Sequence, residues 1–379
     1  MYHGFPGSGE NYVQTYGVYS KNVKDPALIL PSAYFMFLNA DSTPRVFPYG
    51  KTISLRDDEP RFDTKEEVGF DALSLDPGRT FSSPGAALVR ALKDSGNSGT
   101  AAVDLSDMHP STVNELRNSG IEVKNAAELF RFIRLVKSDE ELSRLRASAE
   151  INERALDKSF EAAKPGMSEK ELARVYTISL AEEYATPSGM MFPIGTRGGS
   201  MAAPTDSKLR NGSMFWADVS CSYLGYCADT GDSAVLGEPS EKQNRCYDAL
   251  YKVVQAAEEI ATPGMKSSQL NTEISSVWEK TGVTKSPTGM GHGIGLEIHE
   301  YPRISAAKGS MIENQSAIKD DFVTSSIDIP FEEGMVLNFE APYLVRGWGG
   351  VHLEKTVILE KNGCRHLIPQ ERYLRRLGS

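Results

Sequence analysis

The pattern that most constrains the fold occurs twice in the second part of the chain. A long amphipathic stretch beginning LVKSDEELSRLR ends at PGMSEKEL, and another beginning SEKQNRCYDAL ends at PGMKSSQL. Each predicts a helix, a turn at Pro-Gly-Met and a second helix, because apolar residues recur at helical spacing and Pro-Gly ends a helix. Three pairs have the spacing of capping boxes: Ser138 with Glu141, Ser168 with Glu171, and Ser240 with Gln243. Strand-like segments follow each helix pair, so we expect one domain with an internal pseudo-two-fold duplication.

The part of the chain before Lys137 has a different character. Residues 25–130 alternate short apolar runs with helical stretches, a pattern typical of α/β domains. The length of 379 residues favours two domains. We therefore predict an α/β domain over residues 1–136 and an α+β domain over residues 137–379. His109, which precedes Pro110, is expected to be a loop residue, and no catalytic cluster is predicted in the first domain.

Charge and hydropathy narrow the range of partners. A net charge of -10 argues against nucleic acid, because phosphate binding needs clustered Lys and Arg. No apolar run of about 18 residues spans a bilayer and no signal peptide is recognisable, so we expect a cytoplasmic protein without a membrane partner. The cysteines are too few and too irregularly spaced for a disulfide framework, and we expect four free thiols: Cys221, Cys227, Cys246 and Cys364.

The first of two predicted hairpins carries two aspartates. It joins SMFWADVS to YCADTGDSAVL, and its centre between residues 223 and 224 is midway between Asp218 and Asp229. A symmetric antiparallel hairpin would place these carboxylates directly opposite each other. Facing like charges repel unless a cation lies between them. Taken alone, such a pair is equally typical of a solvated sheet edge.

The second hairpin repeats this arrangement with glutamates. It joins MVLNFEAPYL to VHLEKTVIL, and Gly347 is midway between Glu340 and Glu354. Between the hairpins, the motif GMGHGIGLEIHEYP offers His292 as a nitrogen ligand among glycines that allow close approach. Two acid pairs and an imidazole suit two divalent ions about 3.5 to 4 Å apart. The predicted metal ligands are Asp218, Asp229, His292, Glu340 and Glu354.

Four segments taken together resemble a known family. LVKSDEELSRLR, DVSCSYLGYCADT, GHGIGLEIHE and EEGMVLNFEAPY with GGVHLEKT are similar to the creatinase, prolidase and aminopeptidase P family, the M24 pita-bread metallopeptidases. The resemblance implies a creatinase-like N-terminal domain, a pita-bread C-terminal domain and a homodimer. It also implies two Mn, Co, Zn or Fe ions and hydrolysis of a small peptide or amide, as by an Xaa-Pro aminopeptidase or dipeptidase.

The resemblance also implies a role for each ligand. Asp218 would hold one ion, Asp229 and Glu354 would bridge both, and the remaining two ligands would complete the shell of the second. A hydroxide between the ions would attack the amide carbonyl. Glu340 would in addition accept a proton, and His299 would contact the substrate carbonyl as it gains negative charge. Retention of all five ligands speaks against creatinase itself, whose chemistry needs no metal.

Three substrate-side positions depart from the family pattern. Met201 stands where peptidases usually carry a histidine, while Asp232 and His352 each stand where an arginine is usual. Either another ion-pair network replaces the first, or the metal core serves a different substrate. In the second case, Asp232 would repel a substrate carboxylate and free dipeptides would be poor substrates.

These departures keep two further classes of function open. The first is a non-peptidase metal enzyme, either a small-molecule amide hydrolase or a lyase such as the dimethylsulfoniopropionate lyase of the same family. That lyase has an additional acid where this chain has Trp216, which weakens the lyase hypothesis. The second, a binding protein without catalysis, is least favoured because it would have little reason to keep five ligands. The polar segment 305–328 is either a flap over the site or an inert surface loop.

Overall fold

The structure is a computed structural model, and it describes two units of the chain. The described residues are 83–94, 99–105, 108–284, 290–304 and 328–378, together with the backbone of five strands before residue 55. The first unit runs from Met1 to Ile133 and the second begins at Arg134, close to the predicted boundary between residues 136 and 137. None of the described helices is long and apolar enough to cross a membrane. Most of the segment 305–328 lies outside the described residues.

The first unit contains a mixed sheet with helices. Its described strands are ordered β5-β4-β3-β2-β1-β6-β7, and only β6 and β7 are parallel neighbours. The strands are β1 (Tyr16–Tyr19), β2 (Ala27–Leu30), β3 (Tyr34–Leu38), β4 (Pro44–Pro48), β5 (Ile53–Ser54), β6 (Thr100–Val103) and β7 (Glu122–Asn125). The helices are α1 (Pro84–Asp94), α2 (Pro110–Asn118) and α3 (Ala127–Ile133). His109 is exposed and caps α2, where its side chain accepts a hydrogen bond from the Ser111 N–H.

Two helix pairs begin the two halves of the second unit. They are α4 (Asp139–Ala162) with α5 (Glu169–Glu182), and α6 (Glu241–Ile260) with α7 (Ser267–Thr281). All three predicted capping boxes are present, at the starts of α4, α5 and α6. The sequence predicts an apolar stripe on α5 that runs through Leu172, Val175, Tyr176 and Leu180 to Tyr184, because these residues recur at helical spacing. That prediction was wrong, because the helix ends at Glu182 and Tyr184 adopts a φ of 59° and is 91% exposed.

The two Pro-Gly-Met turns are built alike. Gly166 and Gly264 adopt φ values of 88° and 87°, which glycine reaches without steric cost. The Gly166 N–H donates to the Leu209 carbonyl at 2.9 Å, and the Gly264 N–H donates to the Phe331 carbonyl at 2.8 Å. Equivalence of the complete halves under a two-fold rotation stays a prediction.

The strands of the second unit form two main sheets and a small ribbon. One sheet has the order β18-β10-β9-β8, the other the order β12-β11-β13-β16-β17, and β14 pairs with β15. The strands are β8 (Thr186–Met191), β9 (Met214–Tyr223), β10 (Tyr226–Leu236), β11 (Gly291–Gly293), β12 (Glu300–Arg303), β13 (Val336–Glu340), β14 (Tyr343–Val345), β15 (Gly349–Val351), β16 (Glu354–Glu360), β17 (Gly363–His366) and β18 (Arg375–Leu377). Helix α4 packs on β9 and β10, and α6 packs on β13, β16 and β17. Contact between β10 and β16 brings the two hairpins together.

The first hairpin is centred one residue later than predicted, between residues 224 and 225, so each pairing partner shifts by two residues. Its turn consists of Leu224 and Gly225, with φ values of 50° and 84°, and such a turn matches the twist of its strands. Asp218 therefore pairs with Gly231 and not with Asp229. The predicted direct opposition was wrong. The two aspartates are diagonal neighbours on one face of the hairpin, because residues two apart on a strand point to the same side.

The second hairpin has the predicted register. Glu340 at the end of β13 pairs directly with Glu354 at the start of β16. Gly347, at the centre of the connection, has a φ of 83°. Two acids thus face each other across neighbouring strands, an arrangement that is unfavourable without a compensating positive charge.

Candidate metal centre

The predicted ligands lie on strands of both main sheets, and their donor atoms form two groups. In each group the donor atoms all lie within 4.8 Å of one another, as ligands of a single ion would. The first group consists of Asp229, His292 and His299, and the second of Asp218, His352 and Glu354. Glu340 joins the cluster through its pairing with Glu354. The structure thus brings all five predicted ligands into one region and adds His352 to it.

His292 is oriented for binding through a single nitrogen. Its Nδ1 lies 3.0 Å from the Gly293 carbonyl, which requires the ring proton to reside on Nδ1. The other nitrogen, Nε2, lies 3.6 Å from Asp229 Oδ2. Burial, together with the neighbouring His299, lowers the pKa of His292 to about 4. The imidazole is therefore neutral at pH 7 and offers the Nε2 lone pair to an ion.

The carboxylates carry more negative charge than a buried site tolerates. Burial, and then repulsion from Glu354, raises the pKa of Asp218 to about 7 and that of Glu340 to about 8. The same two causes raise the pKa of Asp229 well above its ordinary value. Asp229 Oδ1 is buried and has no hydrogen-bond partner among the described residues. Clustered, unsatisfied carboxylate oxygens with one neutral imidazole fit divalent cations.

Glu354 is the exception among these acids. Burial raises its pKa, but His352 and the amide of Asn338 lower it, and the net shift is downward. The Asn338 side-chain amide donates to Oε2 at 3.1 Å. Glu354 is thus ionised and held in a fixed orientation within the second donor group.

His352 lies inside the acid cluster, the group formed by the carboxylates of Asp218, Asp229, Glu340 and Glu354, and not beside it. It was predicted as a substrate-side residue, but it is fully buried, with Nε2 2.6 Å from Glu354 Oε1 and 3.7 Å from Asp218 Oδ2. Its ring packs against Trp216 at 5.4 Å between centroids. A Cβ atom on Gly231 would come within 2.2 Å of the imidazole Cδ2. The glycine therefore provides the space that this imidazole occupies.

Asp232 points away from the cluster. The alternation of side chains along β10 turns it to the face opposite Asp229. There its Oδ2 lies 3.0 Å from the Arg375 Nε, and its Oδ1 accepts a hydrogen bond from the Tyr247 hydroxyl at 3.0 Å. This placement does not support a substrate-side role, because the charge is compensated and faces another part of the unit. A substrate at the cluster would therefore not meet the charge of Asp232.

Met201 belongs to neither donor group. It follows a short 3-10 helix (Gly195–Gly199) and is 48% exposed. The loop that carries it is held by the buried Glu169, which accepts hydrogen bonds from the Ile194 and Thr205 backbone N–H groups at 2.9 and 2.8 Å. Its substrate-side role stays a prediction.

His299 is exposed and lies beside His292. The two rings are 4.3 Å apart and nearly perpendicular. Partial burial and the nearby Arg303 lower the pKa of His299. A neutral imidazole at the open side of the cluster is available to a ligand that enters it.

Sequence reasoning missed the ion pair that fixes the loop between the two histidines. Glu300 and Lys137 are both buried, with Oε2 and Nζ 2.9 Å apart. The other oxygen of Glu300 accepts a hydrogen bond from the Leu296 N–H at 2.8 Å. These residues are 163 positions apart in the chain, and no local pattern links them.

Comparison with known proteins identifies the family. Residues 143–361, more than half of the chain, match Metallopeptidase family M24. An Xaa-Pro dipeptidase of Pyrococcus horikoshii is 26% identical over 258 residues, which are 67% of this chain and 68% of that protein. The putative dipeptidase YkvY of Bacillus subtilis is 26% identical over 269 residues, covering 69% of each chain.

Solved structures show the same fold. The Xaa-Pro dipeptidase from Bacillus anthracis aligns with a TM-score of 0.71 at 19% identity, over 92% of this chain and 90% of that one. The X-Pro aminopeptidase from Thermotoga maritima aligns with a TM-score of 0.68 at 22% identity, over 79% and 81%. Together with the cluster of carboxylates and imidazole, these matches show that the chain belongs to metallopeptidase family M24 and is a metal-dependent hydrolase with the pita-bread fold.

Proposed function

We propose that the chain hydrolyses small Xaa-Pro peptides or related amides with two divalent ions, which we expect to be Mn, Co, Zn or Fe. The observation that carries this proposal is the cluster of buried, mutually repelling carboxylates around the neutral His292. The proposed ligands are Asp218, Asp229, His292, Glu340 and Glu354. When bound, two such ions polarise an amide carbonyl and lower the pKa of a water molecule.

Glu340 and His299 contribute the proton chemistry in this proposal. Glu340 pairs with Glu354 at the cluster, and in this proposal its carboxylate accepts a proton from the attacking water and returns it to the leaving nitrogen. His299 donates a hydrogen bond to the carbonyl oxygen as that oxygen gains charge. The position of His299 at the open side of the cluster, and the nearby buried pair of Lys137 with Glu300, support this division of roles.

We propose the substrate class from the names of the matched proteins, and one departure from the family pattern, at Met201, narrows it. Two of the proteins matched above are named Xaa-Pro dipeptidases. Met201 cannot donate a hydrogen bond or a proton where peptidases usually have a histidine. Loss of one such donor costs on the order of 3 kcal/mol in the transition state. We therefore propose weak activity on ordinary Xaa-Pro dipeptides and better activity on longer peptides or small amides.

A non-peptidase metal enzyme of the same fold is the second candidate. It is favoured by His352, because an imidazole buried among the ligands replaces an arginine and alters the charge near the substrate. A small-molecule amide hydrolase fits this difference. The lyase alternative is disfavoured, because the position of its additional acid is occupied by Trp216, which packs against His352.

A substrate panel tests these alternatives. Purified protein loaded with Mn²⁺ or Co²⁺ is assayed on matched Xaa-Pro dipeptides, their C-terminal amides, tripeptides, small non-peptide amides and dimethylsulfoniopropionate. We expect hydrolysis that chelator abolishes and that is slower on free dipeptides than on the amides or tripeptides. Dipeptide turnover equal to that of an efficient prolidase would contradict the proposed specificity. Cleavage of dimethylsulfoniopropionate in place of amides would establish the lyase alternative.

We further propose a homodimer, as the family resemblance implies. Light scattering during size-exclusion chromatography measures the mass directly. A mass near twice the chain mass of 41.5 kDa is expected, and a monomer at micromolar concentration would contradict it.

A further inference from the structure

His352 lies among the proposed metal ligands, but the proposed ligand set gives it no role. Its Nε2 is 2.6 Å from Glu354 Oε1 and 3.7 Å from Asp218 Oδ2. Both carboxylates are proposed metal ligands. Among the described residues, its Nδ1 makes no hydrogen bond. The polar contacts of the ring are therefore directed entirely at two oxygen atoms that would bind an ion.

The position of this ring is fixed from several sides. The backbone of His352 exchanges two hydrogen bonds of 2.9 Å with the Ser233 hydroxyl on β10. Trp216 packs against the ring, and the indole N–H donates to the Gly198 carbonyl at 2.9 Å. Gly231 leaves the space for the imidazole that any larger residue would fill. A ring held in this way has its Nε2 preoriented toward the two carboxylates, as an efficient ligand requires. The contact with Glu354 is a hydrogen bond donated by Nε2, so an ion bound through Nε2 would displace that proton to solvent.

The spacing of the donor atoms suits coordination. With bonds of about 2.1 Å, two neighbouring ligands of one ion lie about 3.0 to 3.4 Å apart in octahedral or tetrahedral geometry. The distances of 2.6 and 3.7 Å from Nε2 to the two oxygens lie on either side of this range, so shifts of a few tenths of an ångström suffice. Imidazole is also the commonest protein ligand of transition metals.

We propose that His352 is a sixth protein ligand, bound through Nε2 to the ion that Asp218 and Glu354 hold. This inference rests on the proposed dinuclear function and extends it. Each ion would then have one nitrogen ligand, His292 for one and His352 for the other. Nitrogen donors favour Zn, Co or Fe over Mn, so the second site should prefer those ions. The role that this proposal excludes is that of a hydrogen-bond donor that only orients Glu354.

Affinity alone does not separate these two roles. Removing a residue that orients a ligand also weakens metal binding, by about 10- to 100-fold. The number of imidazoles bound to metal does separate them. In protein loaded with Co²⁺, a histidine bound through Nε2 has its Nδ1 proton shifted by the unpaired electrons far outside the normal NMR range. Labelling with ¹⁵N-histidine identifies such signals.

The experiment compares the unchanged chain with His352→Gln, His352→Arg and the control His366→Gln. His366 is an imidazole near a carboxylate outside the cluster, with Nε2 3.1 Å from Glu258 Oε2. We expect two Co²⁺ ions and two strongly shifted ligand N–H signals in the unchanged chain and in the control. Both His352 variants should lose one signal and bind the second Co²⁺ at least about 10-fold more weakly.

The outcomes distinguish the inference from the proposed function. Two bound Co²⁺ ions with a single ligand signal, or two signals that persist in His352→Gln, would overturn the sixth ligand and leave the dinuclear function intact. Failure of the unchanged chain to bind Co²⁺ would overturn both. A single ligand signal in the unchanged protein would overturn the sixth ligand by itself, and that outcome does not depend on the folding of any variant.

Discussion

Replacing Asp218 by Asn should stabilise the metal-free chain and abolish its stabilisation by metal. Burial and Glu354 raise the pKa of Asp218 from 3.8 to about 7. A raised pKa means that the folded chain keeps a proton that the unfolded chain has released. Stability is therefore lost as the pH rises from about 4 to about 7, and above pH 7 the full cost is present. Asparagine has a similar shape and carries no charge, so it removes this cost.

The size of the effect follows from the shift. Between the ordinary value of 3.8 and about 7 there are roughly three pKa units, and each corresponds to about 1.4 kcal/mol. The maximum gain at pH 8 is thus about 4 kcal/mol. Glu354 and Glu340 interact electrostatically with Asp218, so part of this cost belongs to the cluster as a whole. We expect Asp218→Asn to raise the unfolding free energy by about 2 to 4 kcal/mol at pH 8, and by less at pH 5.

Urea unfolding with chelator present, followed by tryptophan fluorescence, measures this difference. The three tryptophans, Trp216, Trp278 and Trp348, all lie in the second unit, so the signal reports on the unit that contains the site. Asp206→Asn is the matched control, because Asp206 is an exposed carboxylate paired with Lys170 at the surface of the same unit. The control should unfold like the unchanged chain at both pH values.

Added metal should reduce this difference, because it stabilises the unchanged chain more than Asp218→Asn. Mn²⁺ at 100 times its dissociation constant stabilises a binding protein by about 2.7 kcal/mol. The unchanged chain should gain an amount of this order, and Asp218→Asn should gain little. If Asp218→Asn were no more stable than the unchanged chain in chelator at pH 8, the carboxylates would not be under electrostatic strain and the argument for a cation site would lose its basis.

Three further predictions follow from the site. His299→Ala should lower turnover at least about a hundredfold while metal content, measured by elemental analysis, stays near that of the unchanged chain, and parallel loss of metal would contradict its role at the substrate. In Gly231→Ala the new Cβ would lie 2.2 Å from the His352 ring, so this variant should lower the unfolding free energy by about 1 to 3 kcal/mol and weaken Mn²⁺ binding in calorimetry. Gly189→Ala is the control, because its Cβ meets only a rotatable hydroxyl. Mn²⁺ binding should release protons and become tighter from pH 6 to pH 8, because the raised pKa values of Asp218 and Glu340 leave these groups with protons that the metal displaces. Calorimetry in buffers of different ionisation enthalpy measures this release, and a binding enthalpy that is the same in all buffers would contradict it.

Local patterns predicted the helices and the second hairpin well. Capping boxes and Pro-Gly turns act within a few residues, so α4, α5 and α6 begin where their sequences predict. Glu340 and Glu354 pair as expected because Gly347 takes the left-handed conformation at the centre of the connection. These features depend on short-range steric and hydrogen-bonding preferences, which the sequence contains directly.

The first hairpin could not be predicted from its symmetry. Its turn places Leu224, a residue that rarely adopts positive φ, in the left-handed region beside Gly225. The sequence alone favours no such turn at a leucine. The resulting shift places Asp218 opposite Gly231, and this glycine leaves the space that the His352 ring occupies.

Two other misplacements had different causes. Side chains alternate along a strand, so the spacing of three residues between Asp229 and Asp232 itself indicates that they lie on opposite faces of the sheet. The prediction for Asp232 did not take this alternation into account. The burial of His352 depends on Gly231 and Trp216, which lie more than a hundred positions earlier in the chain. The long-range pair of Lys137 with Glu300 is likewise a product of tertiary packing.

The metal content of the purified and reconstituted chain tests the central claim most directly. Elemental analysis after loading with Mn²⁺ or Co²⁺ and removal of free ions should give about two ions per chain, and Asp229→Ala, which removes a proposed bridging ligand, should lose most of them together with the hydrolytic activity. A metal content near zero after reconstitution, or hydrolysis that survives both chelation and Asp229→Ala, would contradict the dinuclear centre.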